Sequence, residues 1–339
     1  MNPRTRIVFV ALTAVCVALV PLCVLTGSVD IPASEVWNAI AGAPLSRDIY
    51  GVIVCQSRIP TMLTALLSGI ALSVAGLVLQ TTFRNPLAGP SILGVSTGAS
   101  LGAGLVIMAF GAVMGAYGRV ATLFGAFVGA AAVIMLLLVF SGWLRNGNAL
   151  LIVGILISYL TSSIISLLNF FASSEGVRAF VMWGLGNFSS TPPSALWMFG
   201  VLTVFGAIWV WAEGGHLNAL LLGWRNAMAS GVNTKALRTR MLLVAGVLTA
   251  VVTAWCGPIG FIGLVVPHVA RLLLGSSNHR LVLPATVLVG AILGLACQIL
   301  AALPARAGLG VIPVNAITPV LGVPVIIYII VRRNKIFYL

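Results

Sequence analysis

The sequence predicts an all-α polytopic membrane protein with ten transmembrane helices in one domain, residues 1–339. Hydrophobic residues make up 60% of the 339 residues and charged residues only 7%, whereas soluble domains have about 45–50% apolar and about 25% charged residues. Uncharged runs of about 20 residues recur along the chain, which is the length that a helix needs to cross a bilayer. The runs lack the alternating ten-residue pattern of barrel strands, so helices are the expected spanning elements.

Ten apolar segments are separated by Gly, Pro or charged clusters. The first follows Arg4 and Arg6. It is long for the apolar core of a signal peptide and has no A-x-A site after it, so we predict a retained span. The least distinct boundary is the short Gly-Pro-Ile-Gly break at 257–260. The predicted spans are residues 7–25, 60–82, 91–110, 120–141, 149–171, 194–212, 241–257, 260–274, 281–303 and 313–331.

The basic residues predict which way the spans run. Ten spans place both termini on one side, and 13 of the 18 Lys and Arg residues fall on that side. Cytoplasmic loops carry an excess of Lys and Arg, so both termini are expected in the cytoplasm. This bias also accounts for the net charge of +13 without a nucleic-acid partner. The five basic residues on the outer side are Arg47, Arg58, Arg119, Arg178 and Arg306.

Three segments outside the spans are long enough to have structure of their own. Residues 27–57 are predicted as an outer loop with a short helix that begins at a Ser34 cap. Residues 173–193 contain Trp183 and are predicted as an outer helix near the mouth of a pathway. Residues 213–240 are predicted as a cytoplasmic segment with one or two short amphipathic helices.

The polar residues exclude several kinds of chemistry. No acidic residue and no Lys falls at mid-membrane depth in this assignment, although ion-coupled carriers usually keep ionisable groups there. The three His and five Cys residues show no metal-ligand spacing, and we predict no catalytic and no metal site. Neither lysine stands in a phosphate-binding G-x-x-x-x-G-K-[ST] loop. An energy source must therefore come from a partner, and a secondary transporter of an apolar compound remains as the alternative.

Small-residue patterns mark helices that can approach each other closely. Gly94, Gly98 and Gly102 are spaced four residues apart, which allows close contact between helix backbones. Two interpretations stay open. The glycines either serve helix packing alone, or they also form a smooth pathway for a bulky ligand.

Six sequence blocks carry a resemblance to a known family. They read SRIP at 57–60, GIALSVAG at 69–76, NPLAGP at 85–90, LGVSTGA at 93–99, GPIGFIGLVVPHVAR at 257–271 and LGVP at 321–324. Together they closely resemble the FecCD family, which comprises the permeases of ABC importers for iron siderophores, haem and cobalamin. The resemblance covers the chain from about residue 55 onward.

The resemblance implies a type II ABC importer permease with ten helices per subunit in the cell inner membrane. The implied partners are a second copy of the chain, two cytoplasmic ATPase subunits and an extracytoplasmic binding protein, within membrane lipid. ATP and Mg are expected on the ATPase subunits and no cofactor on this chain. The implied ligand is a ferric siderophore or haem, and cobalamin is the alternative.

The resemblance also implies site residues. Coupling to the ATPase is expected at Leu217, Asn218, Leu220, Leu221, Gly223, Arg225, Ala229 and Gly231. Docking of the binding protein by arginine–carboxylate pairs is expected at Arg58 and Arg306, since Thr61 and Ala302 stand where other family members often have arginines. The translocation path and its gate are expected to include Gln80, Asn85, Pro86, Gly94, Ser96, Gly98 and Trp183.

Overall fold

The computed structural model describes residues 2–110, 115–144 and 147–333, and all regular structure within them is helical. The prediction of an all-helical chain is therefore confirmed. The helices are α1 (Pro3–Leu25), α2 (Ala33–Ala41), α3 (Asp48–Ile53), α4 (Ile59–Phe83), α5 (Val95–Phe110), α6 (Gly115–Trp143), α7 (Gly147–Phe171), α8 (Ser174–Gly184), α9 (Leu196–Ala212), α10 (Gly214–Leu221), α11 (Trp224–Ala229), α12 (Thr234–Cys256), α13 (Ile262–Leu274), α14 (His279–Ala302) and α15 (Val314–Arg333).

Seven helices in the described part of the chain are long and apolar enough to cross a membrane, counting α3 and α4 as one. The other three predicted spans coincide with shorter apolar stretches in α5, α13 and α15. Helix α13 has 13 residues and is about 20 Å long, whereas the apolar layer of a bilayer is about 30 Å thick. It therefore covers only part of the membrane depth.

Helix α4 is the central helix of the subunit. Of its most apolar window, 78% is buried inside the protein, against 11% for α1. It packs against α9, α12, α13 and α14. Some of its hydroxyl side chains bond carbonyls of the same helix, as when Thr64 donates to the carbonyl of Pro60 at 2.8 Å and Ser73 to that of Gly69 at 2.6 Å. The remaining helices are arranged around this core.

Glycines allow the central helices to touch through their backbones. A Cβ atom at Gly102 of α5 would overlap the carbonyl oxygen of Gly125 on α6, and one at Gly98 would lie 2.7 Å from the carbonyl oxygen of Gly129. The packing interpretation of the small-residue pattern is thus confirmed at Gly98 and Gly102. The same kind of contact joins α4 to its neighbours, at Gly69 with Gly290 of α14 and at Gly76 with Gly263 of α13.

Several helix boundaries differ from the sequence expectation. The helix predicted within 27–57 begins at Ala33 with Pro32 before it, so the predicted Ser34 cap is wrong. A second helix, α3, runs through a π-helical turn at Val54–Arg58 directly into α4. The span predicted from 60 thus belongs to a helix that starts at Asp48. Helix α8 does begin at a serine cap, where Ser173 accepts from the backbone N–H of Gly176 at 3.2 Å.

Candidate functional site

Two short helices, α10 and α11, lie at the end of the bundle where α4, α9 and α13 end and α12 and α14 begin. We call this the basic end, because Arg84, Arg225 and Arg240 are located there. A turn at Gly223, whose φ is +107°, separates the two helices, a conformation that a residue with a Cβ rarely adopts. Asn233 caps α12 by accepting from the N–H of Ala236 at 3.0 Å. The α10–α11 unit is therefore fixed by a glycine turn in the middle and a helix cap after it.

The α10–α11 unit has a buried side and an exposed side. Leu217, Leu220 and Ala227 are fully buried against the bundle, and burying a leucine is worth about 1.5–3 kcal/mol. On the other side Leu222 is 72% exposed and Met228 is 55% exposed. The unit therefore presents apolar side chains to the surroundings while it is anchored to the bundle.

The residues predicted to couple to the ATPase divide between these two sides. Leu217 and Leu220 anchor the unit, Asn218 is half-buried toward α14, and Gly223 forms the turn. The exposed members are Leu221, Arg225, Ala229 and Gly231. Leu222 and Met228 were not predicted, although each is an apolar residue next to the predicted Leu221, Gly223 and Ala229, and that position is the signal that could have identified them.

An acidic residue missed by the sequence analysis holds the start of α10. Glu213 is buried, and its carboxylate contacts Arg240 Nη1 at 2.8 Å and His216 Nδ1 at 2.6 Å. Arg240 belongs to α12, so this carboxylate ties α10 to the beginning of α12. By the predicted spans, it is the only one of the five acidic residues that falls on the same side of the membrane as the termini, and that isolation was the available signal.

Arg238 joins the α10–α11 unit to α6. Its guanidinium is buried, donates to the carbonyl of Leu144 at 3.0 Å and also bonds the carbonyl of Ser141. These carbonyls lie at the end of α6, where backbone acceptors have no partner within the helix. The same guanidinium lies over the ring of Trp224 in α11, 5.8 Å from its centroid. The arginine therefore links α6, α11 and α12.

Gln80 lies between α4 and α13. Its amide nitrogen donates to the carbonyl of Leu264 at 3.0 Å, and its amide oxygen accepts from Arg271 at 2.7 Å. Gln80 is 4% exposed. A second contact joins the same two segments: His268 Nε2 of α13 lies 2.8 Å from the carbonyl oxygen of Pro86, which follows α4. Two predicted path residues, Gln80 and Pro86, are thus held to α13 at the basic end.

Four more predicted path residues lie in the turn after α4 and at the beginning of α5. Asn85 closes the turn after α4, where its side chain accepts from the N–H of Leu87 at 2.9 Å. Gly94 has a φ of +80° and lies close to Gly154 of α7. Ser96 is buried on α5 and accepts from Thr253 of α12 at 3.4 Å. Gly98 is buried against α6.

The two arginines predicted to dock a partner lie close together at the opposite end of the bundle. Arg58 is only 6% exposed, and its guanidinium donates to the carbonyls of Val24 at 3.0 Å and Leu25 at 3.2 Å, and also to that of Val29. It therefore satisfies the carbonyls at the end of α1. The side chain of Arg306 is 45% exposed and lies 3.7 Å from Asp30. The exposed arginine is the one that can reach another protein in this arrangement.

Trp183 of α8 lines a cavity of about 780 Å³ at the opposite end. The cavity lies between α5, α6, α8, α9 and α12, and Arg119 is the charged residue in its lining. Trp183 also stacks on Phe180, with ring centroids 6.1 Å apart. None of the other predicted path residues lines this cavity. Trp183 is therefore separated from the group around Gln80 and Gly94.

The end of α8 is fastened to the break between α12 and α13. Asn315 donates to the carbonyls of Gly184, at 3.1 Å, and Pro258, and it accepts from the N–H of Gly260 at 3.2 Å. One side chain thus joins α8, the 257–261 break and the start of α15. Among the residues that the structure describes, no group of three or more His, Cys, Asp or Glu residues could hold a metal ion.

A bundle of apolar helices of this length defines a multi-pass membrane protein, and the exposed helix pair at its basic end offers a surface for a partner. Comparisons with known proteins then identify the family. Residues 13–332 match the model of the FecCD transport family, and the chain belongs to that family. It is the membrane-spanning permease subunit of an ABC importer, and ATP hydrolysis is carried out by a separate ATPase subunit.

Related proteins are similar in sequence along most of this chain. The haemin transport system permease protein HmuU of Yersinia pestis is 32% identical over 338 residues, which cover 99% of this chain and 98% of that protein. The vitamin B12 import system permease protein BtuC of Vibrio cholerae is 34% identical over 286 residues, 83% of each chain. A solved ABC transporter assigned to the metal-chelate type, in an inward-facing conformation, matches with a TM-score of 0.81 at 30% identity and covers 96% of this chain and 99% of that one.

Proposed function

We propose that the chain imports a bulky iron chelate, haem or a ferric siderophore, as one half of a homodimer in the cell inner membrane. The relative that covers 99% of the chain carries haemin in its name, which supports haem first. Cobalamin is the alternative, since B12 permeases are nearly as similar. No acid or lysine lies in the core of the predicted spans to coordinate a coupling ion, which disfavours a secondary transporter.

The exposed side of the α10–α11 unit is the observation that carries the proposal. Leu222 and Met228 are exposed apolar side chains at the basic end, and apolar side chains displayed on a fixed helical unit are available for a protein–protein contact. Arg225 lies exposed between them in sequence. We assign this surface to the ATPase subunit, with Leu217 and Leu220 as the anchors that transmit force into the bundle. One such unit per permease gives two ATPase subunits per homodimer.

The topology follows from the same assignment. The ATPase is cytoplasmic, so the basic end faces the cytoplasm and both termini lie there if all ten apolar segments cross. The shorter helices α5 and α13 would cross with the help of the irregular segments before them, which are partly buried in the protein and can keep their backbone groups satisfied there. Helix α15 has 20 residues, which is the length that a crossing needs. The opposite end, with Arg306 and Asp30, then faces the binding protein. ATP and Mg are bound by the ATPase, and the permease itself needs no cofactor.

Reconstitution tests the function and the ligand together. The chain is co-expressed with its ATPase, placed in liposomes with the binding protein outside, and supplied in parallel with haem, a ferric siderophore or cobalamin. ATP-dependent uptake of an iron chelate is expected. Uptake of cobalamin alone would select the alternative ligand. Uptake without ATP or without the ATPase would refute the importer and restore the secondary transporter.

A further inference from the structure

A chain of hydrogen bonds connects the α10–α11 unit to the most buried helix of the bundle. Asn218 of α10 accepts the backbone N–H of His279 at 2.8 Å, and its amide nitrogen donates to the side chain of Asn278 at 2.9 Å. The oxygen of Asn278 also caps α14 by accepting from the N–H of Arg280 at 3.0 Å. The amide of Asn218 is thus engaged at both of its atoms with the first residues of α14.

The ring of His279 continues the connection from α10 to α4. Its Nδ1 lies 2.9 Å from the Asn218 side-chain oxygen, and its Nε2 lies 2.7 Å from the Thr81 hydroxyl. An amide oxygen only accepts, so Nδ1 must carry the proton. In the neutral ring Nε2 then accepts from Thr81, whose single hydroxyl proton is shared with the carbonyl of Leu77, 2.9 Å away. The tautomer follows from the bonding pattern.

The connection is shielded from water. His279 and Thr81 are each 2% exposed, so a water molecule cannot replace a broken bond between them. Gly214, at the start of α10, is also close to His279, since a Cβ atom added to this glycine would lie 3.8 Å from Cβ of His279. A displacement of α10 must therefore either break bonds of 2.7–2.9 Å or move the beginning of α14 and the end of α4 with it.

We propose that Asn218, His279 and Thr81 form a positioning chain that transmits movement of α10 to α4 and α14 during the transport cycle. The proposal rests on the proposed function, since it needs the ATPase to act on the α10–α11 unit. The three residues need not touch the ligand or the ATPase. Their role is to join α10 to the beginning of α14 and the end of α4, so that these helices move when α10 moves.

Two neighbouring threonines of α4 provide a matched pair of variants. Thr81→Val removes the hydroxyl that meets His279 but keeps the shape of the side chain. Thr82→Val makes the same change one residue later, at a hydroxyl that is buried and has no hydrogen-bond partner. Both are measured in the complete importer in liposomes, as ligand taken up per ATP hydrolysed and as ATPase retained on the purified permease.

The expected result is specific to coupling. Thr81→Val lowers the uptake per ATP about three- to tenfold, the effect of one buried hydrogen bond on an equilibrium, while the ATPase stays bound. Thr82→Val leaves the ratio unchanged. His279→Asn keeps a donor near the Nδ1 position but cannot reach Thr81, so it behaves like Thr81→Val. The double variant Thr81→Val/His279→Asn shows no further loss, because both changes remove the same bond.

Two outcomes would overturn the positioning chain. The first is an unchanged uptake per ATP in Thr81→Val with normal ATPase retention. The second is an equal loss in Thr82→Val, which would show a general effect of the helix surface. The unmodified importer is measured first, and if it assembles but takes up no ligand, the proposed function fails at that step and the positioning chain fails with it.

Discussion

Replacement of Gly263 by alanine tests how closely α13 approaches the central helix. A Cβ atom at this position would lie 2.6 Å from the carbonyl oxygen of Leu72 and 2.8 Å from Cδ of Pro90. Ordinary contact begins at 3.4 Å, so α13 would have to move away by about 0.8 Å. Neither neighbour can turn aside, because one is a helix carbonyl and the other a proline ring.

The cost of this movement can be worked out from its parts. Overpacking of a tight contact costs about 1–3 kcal/mol. The bond from Gln80 to the carbonyl of Leu264, 3.0 Å long, would be strained in the same movement and is worth about 0.5–1.5 kcal/mol. Alanine is a better helix former than glycine, which offsets about 1 kcal/mol of these two costs. The free energy of unfolding should therefore fall by about 0.5–3.5 kcal/mol.

The assay is SDS-induced unfolding of the purified chain in mixed micelles, followed by tryptophan fluorescence. Gly200→Ala is the control, because the nearest atom to its new Cβ would be Leu67 Cδ1 at 3.9 Å. It should gain about 0.5–1 kcal/mol from the better helix former. If Gly263→Ala unfolds at the same SDS fraction as Gly200→Ala, the close approach of α13 to α4 is wrong.

Three further predictions concern the two ends of the bundle. Leu222→Ser should weaken binding of the ATPase about tenfold in a pull-down titration, because burial of a leucine is worth about 1.5–3 kcal/mol, and should leave the stability of the permease unchanged. Arg306→Gln should weaken docking of the binding protein a few fold in low salt, and the difference should shrink as salt screens the contact. Glu213→Gln should lower the free energy of unfolding by about 1–2 kcal/mol in the SDS assay, because Arg240 loses a charge-assisted bond while half-exposed to solvent.

Each of these predictions has a matched control at a site outside the proposed contacts. Leu309→Ser changes a leucine that is 81% exposed at the other end of the bundle and should not affect the ATPase. Arg47→Gln and Glu175→Gln change exposed charges of the same type and should leave docking and stability unaltered. A control that matches its test variant in any of the three assays would contradict the assignment of that site.

The positions of most helices could be predicted because hydropathy reports membrane depth directly. It does not report where a helix begins outside the apolar layer. Helix α12 starts at Thr234 rather than at 241 because Asn233 caps it, and its first turns are basic. Helix α4 is continuous with α3 from Asp48 because a π-helical turn carries the chain through Gln56, Ser57 and Arg58, where the polar residues interrupt the apolar pattern.

The surroundings of the site residues could not be predicted from local patterns. Arg58 was expected to be free for docking, yet it bonds carbonyls of Val24 and Leu25 more than 30 residues earlier in the chain. No role was predicted for His279, and only the fold brings it between Asn218 and Thr81. Such contacts depend on which helices become neighbours. Residue type and spacing contain no record of that.

The exposed apolar side of the α10–α11 unit also affects the life of the subunit before it is assembled. A copy without its ATPase displays Leu222 and Met228 to the aqueous phase, and surfaces of this kind attract chaperones, proteases and other copies. If the ATPase covers this side as proposed, the permease should be degraded faster in cells that lack the ATPase. The proposed contact would then also set how many unassembled permeases survive.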